Sequence, residues 1–310
     1  MTTTVVAAGF GGPEVLAVQD IVLPHPGPEQ VLIDVKAAGT NPIDYKLYSG
    51  QLGNDPDDLP MPIGMEVAGV IAAVVPGTAG FTGPLDVGDE VIATNVRAGY
   101  SERVIVDAAD VGHKPATLSF EQAAGLLLAG GTAWHLLTAT KVNQGDTVLI
   151  HGASGGVGLM AVQLAVARGA RVIATASPAR HDQLRGYGAI PVGYGEGLAD
   201  RVRAIGAVDA ALDLVGTDEA LDTSVELVPE VSRIATIAGF GHAAELGIAI
   251  LTGADGGDAI RAAARPALID LAGSGKLEVT VDRVFALEDA PEAHRYLQTG
   301  HARGKVVLVP

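Results

Sequence analysis

Along the first third of the chain, apolar and polar positions alternate in short runs broken by Gly and Pro. Runs of this kind predict strands over Thr3–Ala8, Glu14–Val22, Gln30–Ala38, Val67–Val75, Glu90–Thr94 and Ser101–Val106, the spacing of an all-β module with many turns. From Ser119 the texture turns helical and then alternates. Thr147–His151 reads as a strand, Gly156–Arg168 as a helix, Arg171–Ala176 as a strand and His181–Tyr187 as a helix. The alternation continues through Ile190–Gly193, Leu198–Ile205, Ala210–Val215, Glu219–Leu227, Ser232–Ala238 and Gly247–Leu251. Strand and helix at this period predict an α/β fold with a doubly wound parallel sheet. The tail departs from it: strands over Leu277–Phe285 and Lys305–Val309 flank a short helix, Glu288–Gln298, and are expected to rejoin the first module. The Gly- and Asp-rich stretch Thr252–Asp258 reads as a mobile loop.

Composition narrows the picture. Hydrophobic residues make up 48% of the 310, yet they are Ala, Val, Leu and Ile spread in short runs, which suits buried parallel strands. A membrane span needs roughly 18 uninterrupted apolar residues. The longest candidate, Ala123–Leu137, is broken by Gly125, Gly130, Gly131 and His135. Met1–Gly9 has neither a positive n-region nor a cleavage signature, so a cytoplasmic protein is expected. Lys and Arg number 20 against 36 Asp and Glu, a net charge of -16 that disfavours nucleic acid and anionic membrane as partners. A phosphate-bearing ligand therefore needs a local site. Cysteine is absent, which excludes disulfides, thiolate nucleophiles and every Cys-containing zinc site.

One stretch carries specific chemistry. The strand Val148-Leu149-Ile150 runs into Ala153-Ser154-Gly155-Gly156-Val157-Gly158 and then an apolar helix, the context a dinucleotide fingerprint demands. Gly155 lets backbone approach a pyrophosphate, Gly158 lets the helix pack close to the strand, and N–H groups at the helix start attract phosphate. The first fingerprint position is Ala153 rather than Gly. An NAD-binding unit usually places a carboxylate roughly 20 residues on, against the ribose 2′-hydroxyl. From Leu159 to His181 there is no Asp or Glu, and the strand end offers Ser177 and Arg180 instead. A hydroxyl and a guanidinium suit a 2′-phosphate, so NADP(H) is expected over NAD(H). Val215-Gly216 and Ala238-Gly239-Phe240 close strands at the carboxyl edge, where doubly wound folds bind ligands, and Asp213 just before reads as a local cap or pair.

With these residues in view, the chain resembles the medium-chain dehydrogenase/reductases, specifically their zinc-independent quinone oxidoreductase branch. The matching pieces are Gly39-Thr40-Asn41-Pro42-Ile43-Asp44-Tyr45-Lys46, Gly64-Met65-Glu66-Val67-Ala68-Gly69-Val70, Val87-Gly88-Asp89-Glu90-Val91, Gly131-Thr132-Ala133-Trp134, the fingerprint, and the tail from Gly300 to Leu308. The resemblance implies a GroES-like β-rich catalytic domain over 1–117, a Rossmann NADP-binding domain over 118–265, and a segment, 266–310, that returns to the catalytic domain. It implies catalysis in a cleft between the domains and usually a homodimer or tetramer, of which the homodimer is expected here. It also implies that Thr132 lies beside the nicotinamide phosphate and Tyr194 near the 2′-phosphate.

Zinc-dependent relatives take the metal from a Cys, a Gly-His-Glu histidine and a further Cys or acid. Here Met65 stands at the histidine position, and a thioether is a poor ligand for Zn²⁺, so no metal is expected. His151 and His242 read as core or surface residues. Without a Lewis acid, the easy chemistry is hydride delivery to an electron-poor acceptor such as a quinone or an α,β-unsaturated carbonyl. Asn41, Lys46 and Tyr48 are the candidate hydrogen-bond and proton donors. The resemblance puts Asn41 and Lys46 near the nicotinamide; in other members an aromatic hydroxyl takes the place of Lys46, whereas here tyrosines flank it at 45 and 48. Packing of a loop is the competing role for both tyrosines. Arg303 and Lys305 either bring positive charge to the cleft or lie on an exposed tail loop. Substrate choice is expected in the loops Gly50–Met61 and Ala254–Ala264. Two other functions fit the same residues: an enoyl-thioester reductase of the same superfamily, and a non-catalytic NADPH-binding sensor or structural protein.

Overall fold

The computed structural model describes every residue except Asp255. It separates into two compact units, Met1–Leu128 with Pro266–Pro310, and Ala129–Arg265. In chain order the first part of unit 1 holds strands β1 (Thr2–Ala7), β2 (Leu16–Ile21) and β3 (Gln30–Gly39), helix α1 (Pro42–Tyr48), and strands β4 (Met61–Pro62) and β5 (Glu66–Val74). Next come β6 (Ala79–Gly80), β7 (Gly83–Pro84), β8 (Glu90–Thr94), β9 (Arg103–Asp107) and β10 (Val111–His113), then α2 (Phe120–Ala124) and α3 (Leu127–Ala139), which passes into unit 2 at Ala129. Unit 2 carries β11 (Thr147–His151), α4 (Gly156–Ala167), β12 (Arg171–Thr175), α5 (His181–Gly186), β13 (Ile190–Val192), α6 (Leu198–Arg203), β14 (Ala210–Asp213) and α7 (Asp218–Leu227). It continues with β15 (Ile234–Thr236), α8 (Phe240–Glu245), β16 (Ala249–Ile250) and α9 (Gly257–Gly273), which passes back into unit 1 at Pro266. The tail adds β17 (Val281–Ala286), α10 (Ala290–Gln298) and β18 (Lys305–Val309).

In unit 1, the described strands order as β10-β8-β5-β3-β18-β17, with β9 also on β3, and as a smaller sheet β2-β1-β4. β18 pairs antiparallel with β3 at Val307↔Gly39 and Leu308↔Ala38, so the last strand is stitched beside the segment that leads into α1. The alternating strands bury one face: Val31, Ile33 and Val35 of β3 meet Val67 and Ile71 of β5, with Val306 and Leu308 from β18 and Leu287, Ala290 and Ala293 around α10 in the same core. Alternate residues pointing to one side is what strand geometry requires.

In unit 2 the described strands form one parallel sheet, β13-β12-β11-β14-β15-β16. Chain order reverses between β11 and β14, the topological switch point at which open α/β sheets bind ligands outside the carboxyl ends of their strands. Leu149, Ile173, Ala211 and Ile234 from four neighbouring strands make its centre. In the central strands β11, β12 and β14, three consecutive buried apolar residues each explain the unbroken apolar runs seen in the sequence.

Several expected elements change. β2 starts at Leu16, because Pro13 opens a 3₁₀ turn through Val15. β15 is only Ile234–Thr236, since a 3₁₀ turn occupies Val231–Arg233 and the Ala238 N–H turns back onto the Thr236 hydroxyl. The stretch expected as the loops Thr252–Asp258 and Ala254–Ala264 becomes helix α9 from Gly257, while Asp255 within both lies outside the described residues. No helix among the described residues is long and apolar enough to cross a membrane.

Candidate functional site

At the switch point of unit 2, β11 ends at His151 and the chain turns through Gly152 at φ +69° into α4. The residue before α4, Gly155, is extended (φ -81°) and no side chain caps the helix; its first turn carries no acid. The open N–H groups and the helix dipole favour an anion there. The glycines differ in their reasons. A Cβ on Gly158 would come within 2.3 Å of Gly152 O, so only glycine seats the helix on the turn. A Cβ on Gly155 would meet nothing nearer than 3.6 Å. Neither packing nor φ asks for glycine at 155. Ser154, Gly156 and Val157 are partly exposed beside it.

Other expected cofactor residues follow the carboxyl ends of neighbouring strands. After β12, Ser177 opens a 3₁₀ turn that ends at Arg180, and both are half-buried. The first carboxylate beyond is Asp182, whose side chain is fully exposed and paired with Arg185 at 2.6 Å. Tyr194 follows β13 and is exposed. Val215 follows β14, and Gly239 and Phe240 follow β15. The sheet thus brings all of these to one edge with Ser154–Gly158. Thr132 is elsewhere, buried inside α3. His151 is buried in the sheet, its imidazole pushed down to about 4 by loss of water. His242 sits on the surface with Nε2 2.8 Å from Asp222.

In unit 1 a buried polar chain surrounds α1. Pro42 opens the helix, and Asp44 Oδ2 accepts the Asn41 N–H at 2.7 Å, a cap in the first turn where an acid also suits the dipole. The Asn41 amide is spoken for: Nδ2 donates to Glu66 Oε1 at 3.0 Å and Oδ1 accepts from Lys305 Nζ at 2.6 Å. Lys305 also donates to Glu66 Oε1 at 2.8 Å and to Thr40 O at 3.1 Å, and the Leu128 N–H closes Glu66 Oε2 at 3.0 Å. Gly39 and Gly125 make room, since a Cβ on Gly39 would meet Glu66 Oε1 at 2.5 Å and one on Gly125 would meet the Lys305 stem at 2.8 Å.

From Asp44 the chain runs on. Tyr100 OH donates to Asp44 Oδ2 at 2.9 Å and lies 2.9 Å from His294 Nε2, while Tyr48 OH lies 2.7 Å from His294 Nδ1. With Tyr100 donating to Asp44, one arrangement satisfies every contact: His294 Nε2–H donates to Tyr100, and Tyr48 donates to Nδ1. Burial pushes Asp44 up to about 7, against the lowering effect of the Tyr100 hydrogen bond, and pushes His294 down to about 4. Burial also raises both tyrosine hydroxyls.

These contacts place the three candidate donors differently. Tyr48 has no exposed surface, stacks on His294 and gives its hydroxyl to that ring in the core of unit 1. Asn41 is buried with its amide occupied, and acts as a fastener of the segment before α1. Lys46, half-buried on α1, is the remaining candidate. Lys305 is buried on Glu66, whereas Arg303 is exposed. Glu66, Tyr100, His294 and Thr236 were not legible from the sequence: the His294 hydrogen bonds span 246 and 194 residues, and no local pattern announces them.

Comparison with known families matches residues 27–139 to the alcohol dehydrogenase GroES-like domain and residues 193–308 to the zinc-binding dehydrogenases. The side chains present do not fit a zinc ion. The chain has no Cys, Met65 precedes Glu66, and both Glu66 oxygens already accept from Lys305, Asn41 and the Leu128 N–H. Among the described residues no group of three or more His, Cys, Asp or Glu comes together that could hold a metal. The chain is 33% identical to a quinone oxidoreductase of Pseudomonas aeruginosa, over 98% of each protein. It is 32% identical to a chloroplastic NADPH-dependent alkenal/one oxidoreductase of Arabidopsis thaliana, over 98% of this chain and 78% of that one. The structure of an Escherichia coli quinone oxidoreductase complexed with NADPH matches with a TM-score of 0.85 at 27% identity, over 99% of this chain and 100% of that one. The strand order, the glycine turn at the switch point and a relative matched end to end agree: the chain belongs to the medium-chain dehydrogenase/reductase family, in its quinone oxidoreductase branch.

Proposed function

We propose that this chain is an NADPH-dependent reductase of quinones or α,β-unsaturated carbonyls, with unit 2 as the nucleotide-binding domain and unit 1 as the catalytic domain. The observation that carries the reading is the uncapped start of α4 at the switch point, with Ser177 and Arg180 at the next strand end and no acid between Leu159 and His181. NADPH bound there supplies hydride from its nicotinamide ring. The protein's own groups do the rest. The first-turn N–H groups of α4 hold the pyrophosphate, and the bare backbone of Gly155 lets it come close. Arg180 and Ser177 hold the 2′-phosphate by charge-assisted hydrogen bonds, where a carboxylate would repel it. Tyr194, Val215, Gly239 and Phe240 line the same edge, and Thr132 contributes from α3. Hydride arriving at a conjugated acceptor leaves an oxyanion, which the Lys46 ammonium stabilises and protonates. Asn41, fixed by Glu66 and Lys305, positions α1 and therefore Lys46. A quinone or enone needs no metal to be reduced in this way. The protein works as a cytoplasmic homodimer.

The test is NADPH oxidation, followed by absorbance, across quinones, enones and enoyl thioesters. Turnover with 1,4-benzoquinone or an acrolein-type enone is expected. Turnover confined to enoyl thioesters assigns the chain to a different substrate class, and NADPH binding without consumption by any acceptor removes the enzyme reading.

A further inference from the structure

Two residues buried in the unit 2 sheet face both loops that leave its carboxyl edge beyond the switch point. Asp213 ends β14 and Thr236 ends β15, and the two are register partners. The Asp213 side chain has no exposed surface. Its Oδ1 accepts the Val215 N–H at 3.1 Å and the Gly216 N–H at 3.0 Å, and its Oδ2 lies 2.6 Å from the Thr236 hydroxyl. Thr236, also without exposed surface, accepts the Ala238 N–H on the same hydroxyl at 2.9 Å, and that hydroxyl is 2.7 Å from Ala238 O. One carboxyl and one hydroxyl therefore fasten the backbone of two loops at once.

The loops meet as a result. A Cβ on Gly216 would lie 2.3 Å from Gly239 N, and one on Gly239 would lie 2.6 Å from Gly216 O. Both glycines hold positive φ, +76° and +59°. The Val215 side chain also abuts the start of the glycine turn, since a Cβ on Gly152 would meet Val215 Cγ2 at 2.5 Å. On the outer side, Val215 is 48% exposed and Phe240 is 40% exposed, two large apolar side chains held on adjoining loops and turned to solvent. Exposed apolar side chains on fastened backbone suit a planar ring as a platform, because less ordering entropy is lost when it docks.

We propose that Asp213 and Thr236 are positioning residues for the nucleotide: by tying the Val215–Gly216 and Ala238–Phe240 loops together they hold Val215 and Phe240 against a part of the dinucleotide common to NADPH and NADH. The proposal rests on the nucleotide-binding reading of unit 2. It separates the work of that edge: Ser177 and Arg180 decide which nucleotide binds, and the Asp213–Thr236 clamp sets how tightly either one does.

Thr236→Val removes the hydroxyl while keeping the side-chain shape, and Thr236→Ser restores it. Dissociation constants for NADPH and for NADH are measured by fluorescence titration on the wild type and both variants, with Tm recorded alongside. Thr236→Val, which loses the hydroxyl's bonds to Asp213 and to the Ala238 N–H, is expected to weaken both nucleotides by the same factor, about tenfold. Thr236→Ser is expected to bind as the wild type does. Phe240→Ala, at an exposed position that leaves the fold intact, is expected to weaken both nucleotides in parallel as well. Unchanged dissociation constants in Thr236→Val, whatever its Tm, overturn the proposal, as does a loss confined to NADPH. A wild type that binds neither nucleotide is a different failure, that of the nucleotide-binding reading itself.

Discussion

Lys305 Nζ lies 2.8 Å from Glu66 Oε1, and the two side chains are only 4% and 1% exposed. Removing one partner of such a pair strands the other charge away from water, which typically costs about 3–5 kcal/mol, while replacing both by apolar groups costs far less. Lys305→Met is therefore expected to lower the unfolding free energy by about that amount. Lys305→Met with Glu66→Gln is expected to recover most of it. Urea unfolding of the two single variants and the double variant measures the coupling; additive losses would mean that the pair does not interact.

Asp44 gives the fold a pH dependence of known sign. It holds its proton up to about 7 against an ordinary 3.8, because burial removes water from the carboxyl. Between those values the native state binds a proton that the unfolded chain has released, so this group subtracts stability as pH rises, by up to about 1.4 kcal/mol per unit. His294, pushed from 6.5 down to about 4, acts oppositely, since there the unfolded chain holds the extra proton. Asp44→Asn removes the first slope and keeps the second. The stability of the variant relative to wild type is expected to climb steadily from about pH 4 to about pH 7. A difference that stays flat across that window would show Asp44 to be ionised in the native protein.

Gly155 and Gly158 are expected to respond in opposite ways to the same substitution. Gly158→Ala puts a methyl group 2.3 Å from Gly152 O and is expected to lower stability by about 1–3 kcal/mol, with nucleotide binding lost as a consequence. Gly155→Ala has room for its methyl and an ordinary φ, so Tm is expected to hold while affinity for NADPH falls. Full affinity in Gly155→Ala would mean that no phosphate approaches that backbone.

Lys46→Ala is expected to lower kcat by about 10²–10⁴-fold, the usual worth of a positioned proton donor. KM for NADPH is expected to change little, because the proposed role of Lys46 is toward the acceptor. Wild-type turnover in steady-state kinetics would return Lys46 to the role of a solvated surface charge.

Much of the chain was legible because its local signals agree. β11, the glycine turn and α4 begin where strand, Gly cluster and apolar helix follow one another in the sequence, and β8 and β18 occupy the expected residues. α9 was hidden by its own ends. Gly256 precedes it, Gly257 opens it and Pro266 lies inside it, signals of a break that tertiary packing overrides while Ala264 and Leu268 are buried. Around α1 the capping acid Asp44 is a local signal, but the fate of its neighbours is not. Whether Asn41 and Tyr48 face a substrate or a core depends on Glu66, His294 and Lys305, which strand pairing far along the chain brings to them.

In the proposed function, the edge beside Ser154–Gly158 takes a dinucleotide with a 2′-phosphate and Arg180 recognises it. Equilibrium titration of the wild type and of Arg180→Glu with NADPH and with NADH tests this most directly. The wild type is expected to bind NADPH at least about tenfold more tightly, one charge-assisted contact's worth, and Arg180→Glu to lose that preference while still binding NADH. Equal affinities in the wild type, or a preference that survives Arg180→Glu, would contradict it.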